Sequence, residues 1–480
     1  MFGFKPVHQL YFFSAIALLL IAFLTWGQPG YTIAIVPALL AVLTLFTFSN
    51  SNAFLLVAFC TPFSVKLLFG DAGINVPNEP LMLFFLLLFI FKLVKNWEQL
   101  KPIITHPLSL IVLLNLSWIC ITSVTSVLPL ISFKFLLARV WSVVFAFYWG
   151  AIVFAQTRNI KRFFMAYGAG LCLVIIYTTL NHASTGFSQA KSMLVMHPFM
   201  DDHTVYSAVC AMVLVFCAVI LLRQYRNLSF LGFWFFVAIC MLCLLGVAFS
   251  YSRAAALSLV FVLGFYLLLR WRMSFKSLAG LVTIAVILTT VFSRQIYQEV
   301  KFNRAVSGKN LATDIRSISN VKTDESNVER INRWESGYRM FLEKPWLGFG
   351  PGTYMFTYSP YQKAHEMTSI STTHGNMGNM HSEYFGPLVE SGVLGLLITL
   401  LLFFTFLRIS MRIYYQSINR DIKTLCLAVL LAMVSYFFHG LLNNFLDQDK
   451  VAVLFWAMMG MVVALDLKET TRARNITISN

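Results

Sequence analysis

Long apolar blocks separated by short polar stretches run along most of the chain, and these blocks set the expected elements. Apolar runs occupy about residues 10–26, 31–48, 53–69, 80–94, 108–124, 133–155, 163–181, 204–222, 230–249, 254–270, 277–292, 387–407, 424–442 and 451–466. A helix crossing a bilayer needs about 20 predominantly apolar residues, so the pattern predicts an all-α polytopic membrane protein with about 12–14 transmembrane helices. The run at 53–69 is the weakest, because Pro62 and Lys66 interrupt it. The first run follows only Lys5 and lacks a small-residue cleavage site, which reads as a retained span rather than a signal peptide.

One sizeable segment breaks the rhythm and divides the chain into an N-terminal helical part (1–292), a long loop (293–386) and a C-terminal helical part with a short tail (387–480). From Lys301 to Glu329 the loop is rich in Ser, Asn, Lys and Asp and has little apolar periodicity, so it reads as irregular. From Arg330 to Leu342 the spacing of Ile331, Trp334, Tyr338 and Phe341 predicts a helix. Pro345 ends it, and Gly348, Gly350, Pro351 and Gly352 make a tight turn; those glycines either serve turn chemistry or let the backbone approach a bulky ligand. A flexible loop over Ser369 to Asn379 then leads to His381. No internal repeat and no soluble domain is visible.

Composition agrees with the pattern. The chain is 58% hydrophobic and 12% charged, against roughly 25% charged in a soluble domain, which excludes a soluble reading. The net charge of +16 would prompt thoughts of nucleic acid in a soluble protein, but here orientation is the first explanation, and no nucleic-acid partner is expected. Lys and Arg collect on alternate loops: Lys92, Lys95 and Lys101; Arg158, Lys161 and Arg162; Arg223 and Arg226; Arg270, Arg272 and Lys276; Arg408, Arg412, Arg420 and Lys423; Lys468, Arg472 and Arg474. The positive-inside rule places these loops and both termini of a multi-pass membrane protein in the cytoplasm, and the long loop on the extracytoplasmic side. All eight cysteines lie in apolar segments, where they behave as small hydrophobes, and the Cys240/Cys243 pair lacks a second pair in sequence.

Topology then gathers polar groups on the extracytoplasmic face: Lys191, His197, Asp201, Asp202 and His203; Ser252 and Arg253; Asp447, Asp449 and Lys450; and Arg330, Arg333, Arg339, His374, His381, Glu383 and Glu390. A polar face over a hydrophobic bundle suits a lipid-linked polar substrate. Arg253 stands out, because an Arg in a turn between apolar helices on the positive-poor side is costly; it either serves function or snorkels. Its planar fork matches phosphate oxygens. Lys134 and Arg139 are intramembrane cations that either face the same cavity or pair structurally. His381 and His374 are general-base candidates, since imidazole titrates near neutrality. His365-Glu366 opens an HExxH pattern, but Ser369 stands where the second His is needed. His374, His381 and Glu383 lie in a Gly-rich loop rather than at a rigid ligand spacing, which leaves a metal site there as the minor alternative; no cofactor is expected. Trp334 and the nearby tyrosines suit either sugar stacking or interfacial anchoring.

The stretch Arg330, Ile331, Asn332, Arg333, Trp334, followed by Lys344 to Gly352, resembles the extracytoplasmic block of the O-antigen ligase and polymerase superfamily. So does His381-Ser-Glu-Tyr-Phe, with Glu390, Gly392 and Gly395 beyond it, and the Ser252-Arg253 turn resembles the family's other arginine position. The matching motifs span about residues 250–400. The resemblance implies a GT-C-like bundle and a metal-independent, inverting glycosyltransferase. It would move a glycan from an undecaprenyl-diphosphate carrier to an acceptor hydroxyl, on the lipid A core in a ligase or on another repeat unit in a polymerase. It further implies that Arg253 and Arg330 bind the diphosphate and that His381 activates the acceptor. The residues themselves add Arg333, Arg139, Lys134, Trp334, His374 and Glu383 as substrate-binding candidates, of which His374 has no counterpart in the family pattern. A glycolipid transporter is the competing class, but it calls for an inverted repeat, broken helices and midplane charges, whereas most polar groups here collect on one face around a single long loop.

Overall fold

The computed structural model describes residues 50–69, 72–189, 191–291, 325–368, 371 and 378–479. The expected spans at 10–26 and 31–48, most of the irregular stretch of the long loop, and His374 lie outside the described residues. What is described is an all-α polytopic architecture: nine helices among these residues are long and apolar enough to cross a membrane, or up to ten if one bent pair counts as a span.

The apolar run at 53–69 is not one helix. Helix α1 (Asn50–Cys60) tightens into a 3-10 turn, Thr61–Phe63, and the chain then forms an antiparallel pair, β1 (Val65–Phe69) with β2 (Ala72–Val76), in which Val65 faces Val76. Pro62 lies in that 3-10 turn, where its missing N–H makes it a poor residue for continuing a helix. Next come α2 (Asn78–Lys95) and α3 (Trp97–Ile104), bent by 111° from each other. The antiparallel series α4 (Pro107–Val124), α5 (Pro129–Phe154), α6 (Arg158–Ser184), α7 (His203–Gln224), α8 (Phe230–Phe249) and α9 (Arg253–Arg270) follows. Within α5, Val143–Trp149 is a π-helical stretch with every side chain buried, and the last helix, α14 (Asp449–Ser479), approaches it so closely that a Cβ at Gly460 would lie 2.6 Å from the Phe147 carbonyl oxygen. After α10 (Phe275–Val291), helix α11 (Glu325–Glu343) lies outside the apolar set, and α12 (Phe385–Gln416), α13 (Arg420–His439) and α14 (Asp449–Ser479) complete the chain. α13 and α14 form the middle of the bundle, with 89% and 94% of their most apolar windows buried.

Caps fix several helix starts. Asp202 accepts from the Thr204 and Val205 amides, Ser229 from Gly232, Ser252 from Ala255, and Asn419 from Asp421 and Ile422. Each satisfies an amide that a helix start leaves without an intrahelical partner. Away from the candidate site, Asp466 accepts from Arg412 at 2.5 and 2.6 Å and pairs with His106 at 3.1 Å, tying three helices together.

The most consequential local feature is a break in α12. Gly392 has φ 72°, ψ −172°, which interrupts the helix, and the turn after α11 docks into the interruption. Phe349 N–H donates to the Val389 carbonyl at 3.1 Å, Gly350 N–H to Glu390 at 2.9 Å, and Val393 N–H to Pro345 at 2.9 Å. These bonds satisfy backbone groups that the break would otherwise leave bare in an apolar setting. Close approach explains two of the glycines: a Cβ at Gly348 would sit 2.4 Å from the Glu390 backbone, and one at Gly392 would sit 2.1 Å from the Trp346 carbonyl oxygen. What these glycines admit is therefore protein backbone.

Candidate active site

The site is assembled at the end of the bundle where α8 gives way to α9, α13 ends, α7 and α12 begin, and α11 lies across. Ser252 caps α9, and Ser250 Oγ accepts the Ser252 amide at 3.2 Å. Tyr251 takes a left-handed backbone (φ 52°) and anchors its hydroxyl on the Phe187 carbonyl at 3.1 Å. This stiff turn delivers Arg253 as the first residue of α9, beside Arg330 of α11.

Arg330 donates from Nε to the Leu442 carbonyl at 3.2 Å, just past the C-terminal end of α13. Burial, with the positive fields of Arg253 and Arg333, lowers its pKa to about 10, while Asp202 opposes the shift. One turn along, Arg333 is 8% exposed and heavily bonded: Nε to Glu329 at 2.9 Å and Nη1 to the Asn379 carbonyl at 2.8 Å, with its guanidinium 5.8 Å from the Tyr358 ring centroid. Gly378 (φ 79°) makes room for it, since a Cβ there would lie 2.5 Å from Arg333 Nη1.

His381 follows directly on the residues that Arg333 holds. Asn379 Oδ1 accepts the His381 amide at 3.1 Å, and the histidine backbone is left-handed with φ 51°. That conformation is uncommon for a residue bearing a Cβ and sits where function is expected. The ring lies next to Asn443, and burial together with Arg333 and Arg330 lowers its pKa to about 3. Neutral imidazole is therefore the resting form at physiological pH.

Two residues further, Glu383 leaves this cluster. Its Oε1 accepts from Tyr436 Oη at 2.5 Å and from the Phe445 and Leu446 amides at 2.6 and 3.0 Å, while its own amide donates to the Gly440 carbonyl at 2.8 Å. Burial raises its pKa. Ser382 and Glu383 also line a cavity of about 80 Å³ whose wall includes Trp118, Phe135, Arg139, Glu390 and Asp447. There Arg139 pairs with Asp447 at 3.1 Å and lies 5.0 Å from the Phe135 ring centroid.

Arg253, Arg330, Arg333 and His381 thus converge. Arg139 and Glu383 face the neighbouring cavity, Trp334 stacks on Phe385 at 5.8 Å, and Lys134 is exposed and does not line the cavity. Arg339 is engaged elsewhere, by Glu366 at 2.6 Å and the Tyr361 carbonyl at 2.5 Å. Among the described residues no three His, Cys, Asp or Glu side chains are placed to hold a metal ion. Glu329, Asn443 and His439 also belong to this neighbourhood. Nothing in local sequence marks the last two, which lie about 60 residues beyond His381 and meet it only because α13 ends there.

The fold and site define a polytopic membrane protein with a cationic, histidine-bearing cluster at one end of its bundle. Residues 238–400, which contain Arg253, Arg330, Arg333 and His381, match the family model described as O-antigen ligase, and this match places that stretch in the O-antigen ligase and polymerase superfamily. The chain is also similar to an uncharacterized protein of Haemophilus influenzae, 24% identical over 250 residues, covering 49% of this chain. The match spans 57% of that relative's length.

Proposed function

We propose that this protein is a glycosyltransferase of the O-antigen ligase type, moving a glycan from undecaprenyl diphosphate to an acceptor hydroxyl at the periplasmic face of the inner membrane. The observation that carries the proposal is the convergence of three arginines and one histidine above an apolar bundle, all within the family-matched stretch. In this reading Arg253 and Arg330 bind the diphosphate. The acceptor oxygen attacks the anomeric carbon, the bond from that carbon to the diphosphate oxygen breaks, and the configuration inverts. His381 takes the hydroxyl proton, and undecaprenyl diphosphate leaves with its charge matched by the guanidinium groups, a task preorganised cations can perform without a metal.

The low proton affinity of His381 fits an ordered reaction. Arg330 and Arg333 hold the ring's basicity down; a diphosphate lying among them cancels that field, so the imidazole becomes a useful base when the donor is in place. In this scheme the wall bearing Arg139, Glu383 and Asp447 faces the acceptor sugar, the cavity of about 80 Å³ admitting only part of it, with Phe135 and Trp118 as aromatic neighbours and Ser382 joining it to His381. The basic loops are cytoplasmic, as are both termini.

The test replaces His381 by Ala in the native host and follows surface polysaccharide and carrier-linked glycan. Loss of the surface polymer with full-length polymer retained on the carrier is the expected result. Accumulation of single repeats instead identifies a repeat-unit polymerase, which shares the same site chemistry. Unchanged surface polymer without carrier-linked accumulation overturns the role of His381.

A further inference from the structure

Around Arg330 lies a set of buried polar atoms that no neighbour satisfies. His439, the last residue of α13, is 1% exposed, and neither of its ring nitrogens has a hydrogen-bond partner among the described residues. The same holds for His203 Nδ1 at the start of α7, His381 Nδ1 and Asn443 Nδ2. These are five of the eighteen such atoms in the described residues, and they share one location: His203, His381 and His439 all lie within the field of Arg330, and Asn443 adjoins His381. A buried donor left without an acceptor costs about 1–3 kcal/mol, and native proteins keep few of them. The tilted packing of His439 on Phe445, with ring centroids 5.6 Å apart, supplies apolar contact and no acceptor.

The chemistry of the atoms narrows what satisfies them. Imidazole, neutral or protonated, carries at least one N–H, and the Asn443 amide nitrogen carries two hydrogens. The nearby carboxylates do not serve them: Asp202 Oδ1 accepts from Thr204 and Val205, Glu329 accepts from Arg333, and no described hydrogen bond joins either to these donors. The missing partner is an acceptor-rich group placed beside an arginine, and phosphate oxygens have that character.

We propose that His439 and Asn443, joined by His203, are phosphate-binding residues of the donor site, donating to oxygens of the carrier diphosphate beside Arg330. The inference rests on the transferase reading above and extends it to α7 and α13, neither of which carries a residue of the sequence motifs. The anion is then held from four elements, α7, α9, α11 and α13. Donor binding thereby couples the middle helix of the bundle to the loop that carries His381.

Binding of undecaprenyl diphosphate to the purified full-length protein in detergent tests this, with thermal unfolding as a check on each variant. His439→Ala should weaken binding about ten- to a hundred-fold, the loss of one hydrogen bond to a charged acceptor. His439→Gln retains an N–H donor and should recover most of the affinity, and Asn443→Ala should lose several-fold. In the unaltered protein labelled with 15N-histidine, adding undecaprenyl diphosphate should shift the His439 imidazole signals, assigned from the His439→Gln spectrum. Wild-type affinity in both His439→Ala and Asn443→Ala, with Arg330→Lys weakened, overturns this inference and leaves the transferase reading standing. A 15N response that spares His439 overturns it equally. Failure of the unaltered protein to bind undecaprenyl diphosphate overturns both.

Discussion

The segment from Gly378 to Phe385 has two dissimilar neighbourhoods. On one side Arg253, Arg330 and Arg333 crowd around His381, with Asp202 in the field of Arg330 and Glu329 paired to Arg333. On the other side Glu383, Glu390 and Asp447 face a cavity containing Arg139. Opposite charge balances thus stand one or two residues apart on a single strand of backbone. An arrangement of this kind suits a reaction with two unlike substrates, a diphosphate that needs cations and a sugar whose hydroxyls need acceptors as well as donors. The two sides also differ in how they are held. His381 Nδ1 is buried without a described partner, whereas Glu383 is bound into the fold by three donors to one oxygen.

The largest effect should come from the cationic side. Arg253→Lys or Arg330→Lys removes the planar fork while keeping the charge, and transfer measured with carrier-linked glycan should fall by about a hundred-fold or more. Near-normal turnover in either variant would erase the distinction between a diphosphate side and an acceptor side. Next in size is Glu383→Ala, which strands the Tyr436 hydroxyl and the Phe445 and Leu446 amides. We expect a loss of about 2–4 kcal/mol in stability, read from denaturation in detergent. Unaltered stability would show that those donors find other partners.

Arg139→Ala probes the cavity. It should raise the KM for acceptor by about ten-fold while leaving undecaprenyl diphosphate affinity unchanged, consistent with the loss of a single charged contact. A change in donor affinity would mean that the two sides are one. The smallest effect concerns pH. Because Arg333 lowers the proton affinity of His381, Arg333→Gln should move the acid limb of kcat/KM upward by about one pH unit. In the unaltered protein the acid limb of kcat, which reports the donor complex, should lie above that of kcat/KM. A downward shift in Arg333→Gln would contradict the proposed field.

Much of this arrangement was legible in sequence, for reasons that differ by residue. Helix α11 announced itself through Ile331, Trp334, Tyr338 and Phe341, and the spans did so through length and hydropathy. Arg253 was visible because a charge is costly between apolar helices. The run at 53–69 misled because hydropathy does not distinguish a helix from a short hairpin; Pro62 was the better guide. His439 was hidden inside an apolar run, and only the meeting of α13 with α11 gives it neighbours. Gly348 could be read either way until α12 broke at Gly392 and supplied the backbone it approaches, while Gly350 and Gly352 approach the side chains of Ser126 and Phe135.

The left-handed backbone at His381 has a practical consequence. A residue with φ 51° is tolerated best as Gly, Asn or Asp, so the replacement that least disturbs the chain is not alanine. His381→Asn keeps the backbone shape and a polar side chain while removing the imidazole. Such a protein should remain folded, retain its carrier and fail to discharge it, making it a means of holding the donor complex still for direct observation.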